Sequence, residues 1–502
     1  MKNFLNPKFL VAGAMALAIG ACTDLKLTEQ DSVVLKSTGG FAKVDPTKFL
    51  ASAYTDLGIF PDQANVYALT EHASDEMIPP TRGVDWGDNG VWRTLDAHTW
   101  DPTHSWNNNA WNQLHGRAFR CNQILASDPS AAQAAEAKFL RALYMTYAMD
   151  FWGQVPFREV TQGVDDNPKV MTRSEAFDFI VADLKAALPG LPKGGPKAEN
   201  PKATQAAANL LLARLFLNKA VYKAAAPAAS YTFNAADMNE VVKYCDAVTA
   251  DGYSLEKNYF DAFTAAAKTE TILTSPEGSP SNRWYMTLHY DQDPSGWNGF
   301  TTIADFYGKF ATGDQRKGFD AKKDGSANAG IGLGFLAGQQ YKNDGTVLVD
   351  SRSKKPLSFT PDVPLAGAAT DKGIRVIKYH PATAGKYIIF RYGDAVTMKM
   401  EAQWRGGTGG AAGALVTANA LRAARGTTAT SLPALTALTA DVVADERARE
   451  MYWEGVRRMD QIRFGTFHTR PEVVNKDVAR CLYPIPADAV SSNPNLKQNP
   501  GY

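Results

Sequence analysis

Apolar residues recur at spacings of three and four through the first half of the chain, and each such stripe predicts a helix. From Glu136 to Trp152 the stripe is Leu140, Tyr144, Tyr147 and Phe151, ended by Gly153 with Pro156 beyond. A second helix is predicted to start at Thr172, where Thr172 and Glu175 can satisfy each other's free backbone amides. It carries Phe177, Ile180, Val181, Leu184 and Leu188 to a stop at Pro189-Gly190. A third runs from about Thr204 to Ala220, with small alanines that let a neighbouring helix approach closely, and a fourth from about Asn239 to Ala250. Trp111, Leu114, Ala118 and Cys121 also lie at helical spacing and are expected in the core.

From about Tyr253 to Lys378 this periodicity lapses into Gly, Asp, Asn, Ser and aromatic residues, which predicts long loops with short strands. Helix returns at about Asp394 to Trp404, at Ala411 to Arg425, and from Asp441 to Phe464. Successive helices of this length suggest stacked hairpins of the tetratricopeptide kind, although no 34-residue repeat with that signature is visible.

The opening differs from the rest. Lys2 and Lys8 precede an apolar run from Phe9 to Gly20 that is too short for a transmembrane helix and reads as a secretory signal peptide. Ile19-Gly20-Ala21-Cys22 has the order of a bacterial lipobox, so Cys22 is the expected acylated first residue after removal of residues 1–21. Acyl chains then anchor a globule that has no apolar span.

Composition removes several function classes. With 53 basic and 52 acidic side chains and no like-charged block, nucleic acid is not an expected partner. Cys121, Cys245 and Cys481 are scattered and odd in number, which argues against a disulfide framework. The seven histidines are dispersed without metal-site spacing, so no metal or cofactor is expected. Glycine-rich pieces such as Gly330 to Gly334 lack the strand, helix start and spacing of a phosphate or dinucleotide site. Glu446, Glu450, Glu454 and Asp460 are carboxylates at helical spacing, and paired carboxylates are what a glycosidase uses. Arg447, Arg449, Arg457, Arg458 and Arg463 interleave with them, so ion pairs along one helix explain the pattern without catalysis.

Four motifs in order along the chain resemble the SusD/RagB family. They are Glu136-Ala-Lys-Phe-Leu-Arg-Ala-Leu-Tyr144 leading into Gly153-Gln-Val-Pro-Phe157; Arg391-Tyr-Gly-Asp394 with Glu401-Ala402; Glu446 to Gly465; and the tail from Tyr483-Pro-Ile-Pro486 to Tyr502. The resemblance implies a mainly α fold, a tetratricopeptide-like helical-hairpin scaffold with long, loop-rich ligand-binding insertions. It implies one domain over 22–502, with a helical scaffold to about 250, a loop-rich insertion over about 251–380, and C-terminal helices and tail over about 381–502. The implied function is that of a non-catalytic lipoprotein at the cell surface, held in the outer membrane by its lipid. It would bind a nutrient and deliver it to a SusC-like TonB-dependent transporter.

A carbohydrate is the favoured ligand, because sugar rings stack on exposed aromatics while their hydroxyls need Asn, Asp or Arg beside them. Two aromatic, loop-like segments offer this. One holds Arg82, Asp85, Trp86, Asn89, Trp92 and Trp100; the other holds Asn282, Trp284, Tyr285, Tyr290, Trp297 and Asn298. Of these, Arg82, Asp85, Trp86, Asn89, Trp92, Trp284, Tyr290, Trp297 and Asn298 are the expected ligand contacts. A peptide ligand, as on the RagB side of the family, is the alternative reading, and a surface glycosidase a further one.

Overall fold

The computed structural model describes residues 43–502 except 160, 164–165, 277–283 and 428–429; the leader with Cys22, and Asn282, lie outside the described residues. The described residues fall in one contact unit, Gly39–Tyr502.

The chain enters through α1 (Pro46–Thr55), where the Asp45 carboxylate accepts from the amides of Thr47 and Lys48. Two short helices follow, α2 (Asn65–Glu71) and α3 (Val91–Asp96). The long helices α4 (Ser105–Leu125) and α5 (Ala131–Trp152) are then joined by a short turn. Ser130 and Gln133 form a capping box at the start of α5, and every residue from Phe139 to Trp152 is buried. Burial all round is why its apolar positions extend beyond one stripe: α4 packs on one side and α6 (Arg173–Ala187) on another. Between α5 and α6 the chain makes a small antiparallel ladder, β1 (Gln154–Phe157) with β2 (Lys169–Thr172). Thr172 and Glu175 close α6 with the expected capping box.

The helical series continues with α7 (Gln205–Leu217), the one-turn α8 (Lys219–Tyr222) and α9 (Ala235–Ala250), capped by Thr204 and Asn234 at α7 and α9. β3 (Thr271–Thr274) opens the loop-rich part. It contains α10 (Ala304–Gly308), β4 (Gly318–Phe319), β5 (Leu333–Leu336), β6 (Gly338–Gln339), β7 (Ser358–Phe359), β8 (Arg375–Ile377) and β9 (Ile388–Arg391). β9 returns antiparallel to β3, and β4, β5 and β8 form a three-stranded sheet in that order. These loops carry their own small core of Leu288, Ile331, Leu336, Leu348, Leu357, Phe359 and Ile377. The long stretch without helical periodicity is therefore packed on itself.

α11 (Tyr392–Trp404) packs on α7, α9 and the next helix, α12 (Gly410–Arg425), continuing the stack of neighbouring helices. α13 (Ala440–Met451), α14 (Arg457–Phe464) and α15 (Ala487–Ser492) complete the chain. The fold is mainly α, as expected. No helix among the described residues is long and apolar enough to cross a membrane. Cys121, Cys245 and Cys481 are free and buried, and burial pushes the Cys121 thiol up to about 12.

Two expectations about the C-terminal helices need correction. The stretch from Asp441 to Phe464 is two helices, because Trp453 (φ +58°) and Gly455 (φ +74°) break it. Glu76 accepts from the Trp453 amide at 2.7 Å and Glu71 accepts from the Gly455 amide, so acids distant in sequence stabilise the turn. The ion pairs are also mostly between elements. Arg391 reaches Glu270, Glu450 and Glu454, Arg425 reaches Glu270 and Glu450, and Arg463 holds Glu401 at 2.6 Å. Of the carboxylates from Glu446 to Asp460, Glu446 with Arg449 and Asp460 with Arg463 keep the spacing along one helix. Burial alone would raise these acids, but the guanidiniums outweigh it and hold Glu401 and Glu446 down at about 2. Each carboxylate is thus committed to buried cations.

Candidate functional site

Two aromatic segments about two hundred positions apart meet at an open cavity of about 680 Å³. In the first segment, Arg82 and Asp85 exchange backbone hydrogen bonds at 3.0 Å each, a tight turn that puts Val84 at its tip, 97% exposed. Trp86 and Asn89 follow at φ +62° and +53°, sparsely populated backbone for residues with side chains. Strain of this kind persists only where neighbours hold it. The Trp86 indole donates to the Trp297 carbonyl at 2.8 Å, and its ring packs on Trp92 and Phe300 at centroid distances of 5.6 and 5.3 Å. Gly299 lies against that ring so closely that a Cβ there would overlap it.

Asp85, Trp86, Asn89, Trp92, Tyr290 and Trp297 line the cavity together. Trp297 is the most open ring, 49% exposed, tilted 58° to Trp86 with centroids 6.5 Å apart. Trp92 shows the cavity one edge only. It is buried, donates to Asp88 at 2.6 Å, and packs on His72 and Trp106. Tyr290 donates to Asp85 at 2.7 Å, and Arg352 donates to the same Asp85 oxygen at 2.7 Å while lying over the Tyr290 ring at 4.1 Å. The Tyr290 hydroxyl and Arg352 hold the Asp85 carboxyl below its ordinary value, and burial and Asp85 push Tyr290 up to about 12.

Other expected contacts sit beneath the cavity. Arg82 is buried and donates to the carbonyls of Asn298, Ala369 and Lys372. Asn298, at φ +55° and fully buried, donates to the Thr370 carbonyl and accepts from Arg375. Both have their polar groups taken up in joining the 297–299 turn to the 369–375 segment, so they support the wall and do not form it. Trp284 is half-buried against the two hydrophobic clusters, Tyr285 meets the Trp297 ring at 5.1 Å, and Trp100 is buried, donating to Tyr502.

Sequence reasoning missed Gln63, Asp88, Ser105, Trp106 and Arg352. Gln63 lies just before α2, Asp88 just before α3, and Ser105 and Trp106 open α4, while Arg352 stands alone in a polar loop with nothing local to single it out. A second cavity of about 530 Å³, apolar in character, lies between α4, the β1 turn and the tail, bounded by Trp111, Phe119, Phe157 and Leu496. His289, Asp291 and Asp350 come together in the loops. Nδ1 of His289 accepts from the Asp291 amide, and Asp350 faces the other ring nitrogen at 4.0 Å, so the two carboxylates flank opposite edges of the imidazole.

The SusD family model matches residues 269–477, which hold the buried arginine and glutamate network and the second wall of the cavity. The starch-binding protein SusD of Bacteroides thetaiotaomicron is 27% identical over 425 residues, covering 74% of this chain and 73% of that protein. Over residues 269–477 the chain matches the SusD family. Among solved structures, a SusD-like protein from Bacteroides fragilis covers 91% of this chain and 96% of its own at a TM-score of 0.69 and 20% identity. Surface glycan-binding protein A from Bacteroides thetaiotaomicron, solved with laminarihexaose, covers 90% and 98% at a TM-score of 0.63 and 17% identity. Identity this low speaks for a shared fold.

Proposed function

We propose that the protein is a non-catalytic surface lipoprotein that captures an oligosaccharide or polysaccharide in the Trp86–Trp297 cavity and passes it to a SusC-like TonB-dependent transporter of the outer membrane. The observation that carries this reading is the convergence of Trp86, Trp297 and Tyr290 with Asp85 and Asn89 on one open cavity. Tilted aromatic faces suit the CH faces of sugar rings, and the polar side chains between them suit hydroxyls. The names of two relatives agree in chemistry, one starch-binding and one solved with laminarihexaose. The helix carboxylates Glu446, Glu450 and Glu454, which at that spacing could suggest hydrolysis, are buried against arginines and do not line this cavity. Cys22 at the end of the apolar leader supports a lipid anchor.

Affinity electrophoresis of the full-length protein in detergent, through gels containing starch, laminarin or other glycans, tests the reading. Retardation by at least one glycan is expected, weakened in Trp86→Ala and Trp297→Ala. Retention by immobilised peptide mixtures alone would favour a peptide ligand, and release of reducing ends would make the protein an enzyme. Co-purification of a TonB-dependent barrel with the protein from outer membranes is expected, and its absence would remove the transporter partnership.

A further inference from the structure

The aromatic faces of the cavity contact apolar sugar faces whether or not the sugar bears a charge, so selection by charge falls to the ionised groups around them. On the cavity wall these are Asp85 and Asp88, and among the described residues no lysine or arginine lines it. The cation that touches the wall residues is Arg352, which is tied to Asp85 at 2.7 Å and laid over Tyr290, so its charge is already compensated. Arg93, on the same short helix as Trp92, is exposed and is not part of the wall. Two carboxylates against one guanidinium leave the rim with an excess negative charge. Sites that take uronates or sulfates present unpaired guanidinium or ammonium groups to them, and the described residues of this cavity present none.

The same carboxylates suit hydroxyls. An ionised carboxylate accepts at both oxygens, and Asp85 uses one of its two for Tyr290 and Arg352, while Asp88 uses one for the Trp92 indole. The second oxygen of each carries no hydrogen bond among the described residues. Held below its ordinary value by the Tyr290 hydroxyl and Arg352, Asp85 stays charged throughout the neutral pH range.

We infer that the cavity selects uncharged glycans and rejects those bearing carboxylate or sulfate groups, with Asp85 and Asp88 as the residues that set this choice. The inference rests on the glycan-binding reading above and narrows it to a ligand class. A neutral hexose meets two acceptors for its hydroxyls. An acidic sugar in the same pose brings a like charge to within hydrogen-bonding distance of them, with no free cation on the wall among the described residues to offset it.

The test compares each parent polysaccharide, starch and laminarin, with its own carboxymethyl derivative, and uses the hydroxyethyl derivative as an uncharged substituent of similar size. Affinities of the full-length protein in detergent are read from tryptophan fluorescence. Carboxymethylation is expected to weaken binding about tenfold more than hydroxyethylation at low salt, with the gap narrowing at about 0.5 M salt, where surface charges are screened. In Asp85→Asn/Asp88→Asn, which also frees Arg352, the gap is expected to close to within about twofold. Should the double variant fail to fold, Asp88→Asn alone is expected to shrink the gap about threefold. Equal or tighter binding of the carboxymethyl form by the unaltered protein would overturn the inference, as would an unchanged gap in a folded variant. Absence of binding to the parents and to every derivative would instead sink the glycan-binding reading itself.

Discussion

Trp92 and Trp297 belong to the same aromatic cluster but should fail in different ways when cut back to alanine. Trp297 is 49% exposed, and its main contact is the Tyr285 ring. The bond from the Trp86 indole ends on the Trp297 main-chain carbonyl, which the substitution keeps. A tryptophan buries about 150–250 Å², so a bound ring can cover roughly 100 Å² of the open half. At about 25 cal/mol per Å² this is an upper limit of about 2.5 kcal/mol, and partial coverage brings the expected loss of affinity to about tenfold. Stability should change by less than about 1 kcal/mol, as for other exposed positions. Trp92 is 3% exposed, donates to Asp88, and packs on His72, Trp86, Trp106 and Phe300. Trp92→Ala opens a large cavity and should cost about 3–5 kcal/mol of stability. Urea unfolding and glycan titration of both variants give the assay. A Trp297→Ala protein that unfolds early, or that binds within twofold of the parent, would refute this division between wall and support.

Further outcomes follow from the buried charges. Glu450→Gln removes the carboxylate shared by Arg391 and Arg425, whose donors lie 2.8–3.1 Å from it, and should lower unfolding free energy by about 3–5 kcal/mol; little change in urea midpoint would contradict the network's role. Arg82→Met leaves the Asn298, Ala369 and Lys372 carbonyls without their donor, so its defect should appear in thermal melting as well as in binding, unlike that of Trp297→Ala. Asp394 and Glu401 are held at about 2 in the fold because, although burial opposes it, Arg214 with Arg447 and Arg463 with Arg405 favour their charged forms; their stabilisation is present above about pH 4.5 and should fade as pH falls towards 2 in a melting series. Glu71 behaves oppositely, raised to about 7 by burial, so its contribution is full below about pH 4.5 and is lost as pH rises through 7; Glu71→Gln should flatten that part of the profile.

How much of this was legible in the sequence depended on whether the cause was local. Helices α5, α6 and α7 announce themselves through apolar spacing and through caps at Thr172 and Thr204, and these are local signals. The break at Trp453 was not, since its stabilising partners are Glu71 and Glu76, hundreds of residues away. α1 is amphipathic, with Leu50, Ala53 and Tyr54 buried, but it is only ten residues long, and α2 is a seven-residue helix buried all round, so neither was predicted. At the site, aromatic richness pointed to the right two segments, yet type alone could not separate a wall residue from a supporting one. Arg82 and Asn298 have the chemistry of a ligand contact, but their hydrogen bonds go to the backbone of the 369–375 segment, which only the fold brings near. Arg352 lies on a loop whose approach to Asp85 depends on the small core around Leu348 and Leu357.

The most direct test is the structure of the protein bound to a neutral oligosaccharide. The account predicts sugar rings against Trp297 and Trp86, hydroxyls on Asp85 or Asp88, an intact glycosidic chain, and Arg82 and Asn298 unchanged beneath. A ligand seated instead in the apolar cavity between α4 and the tail, or a cleaved one, would contradict it.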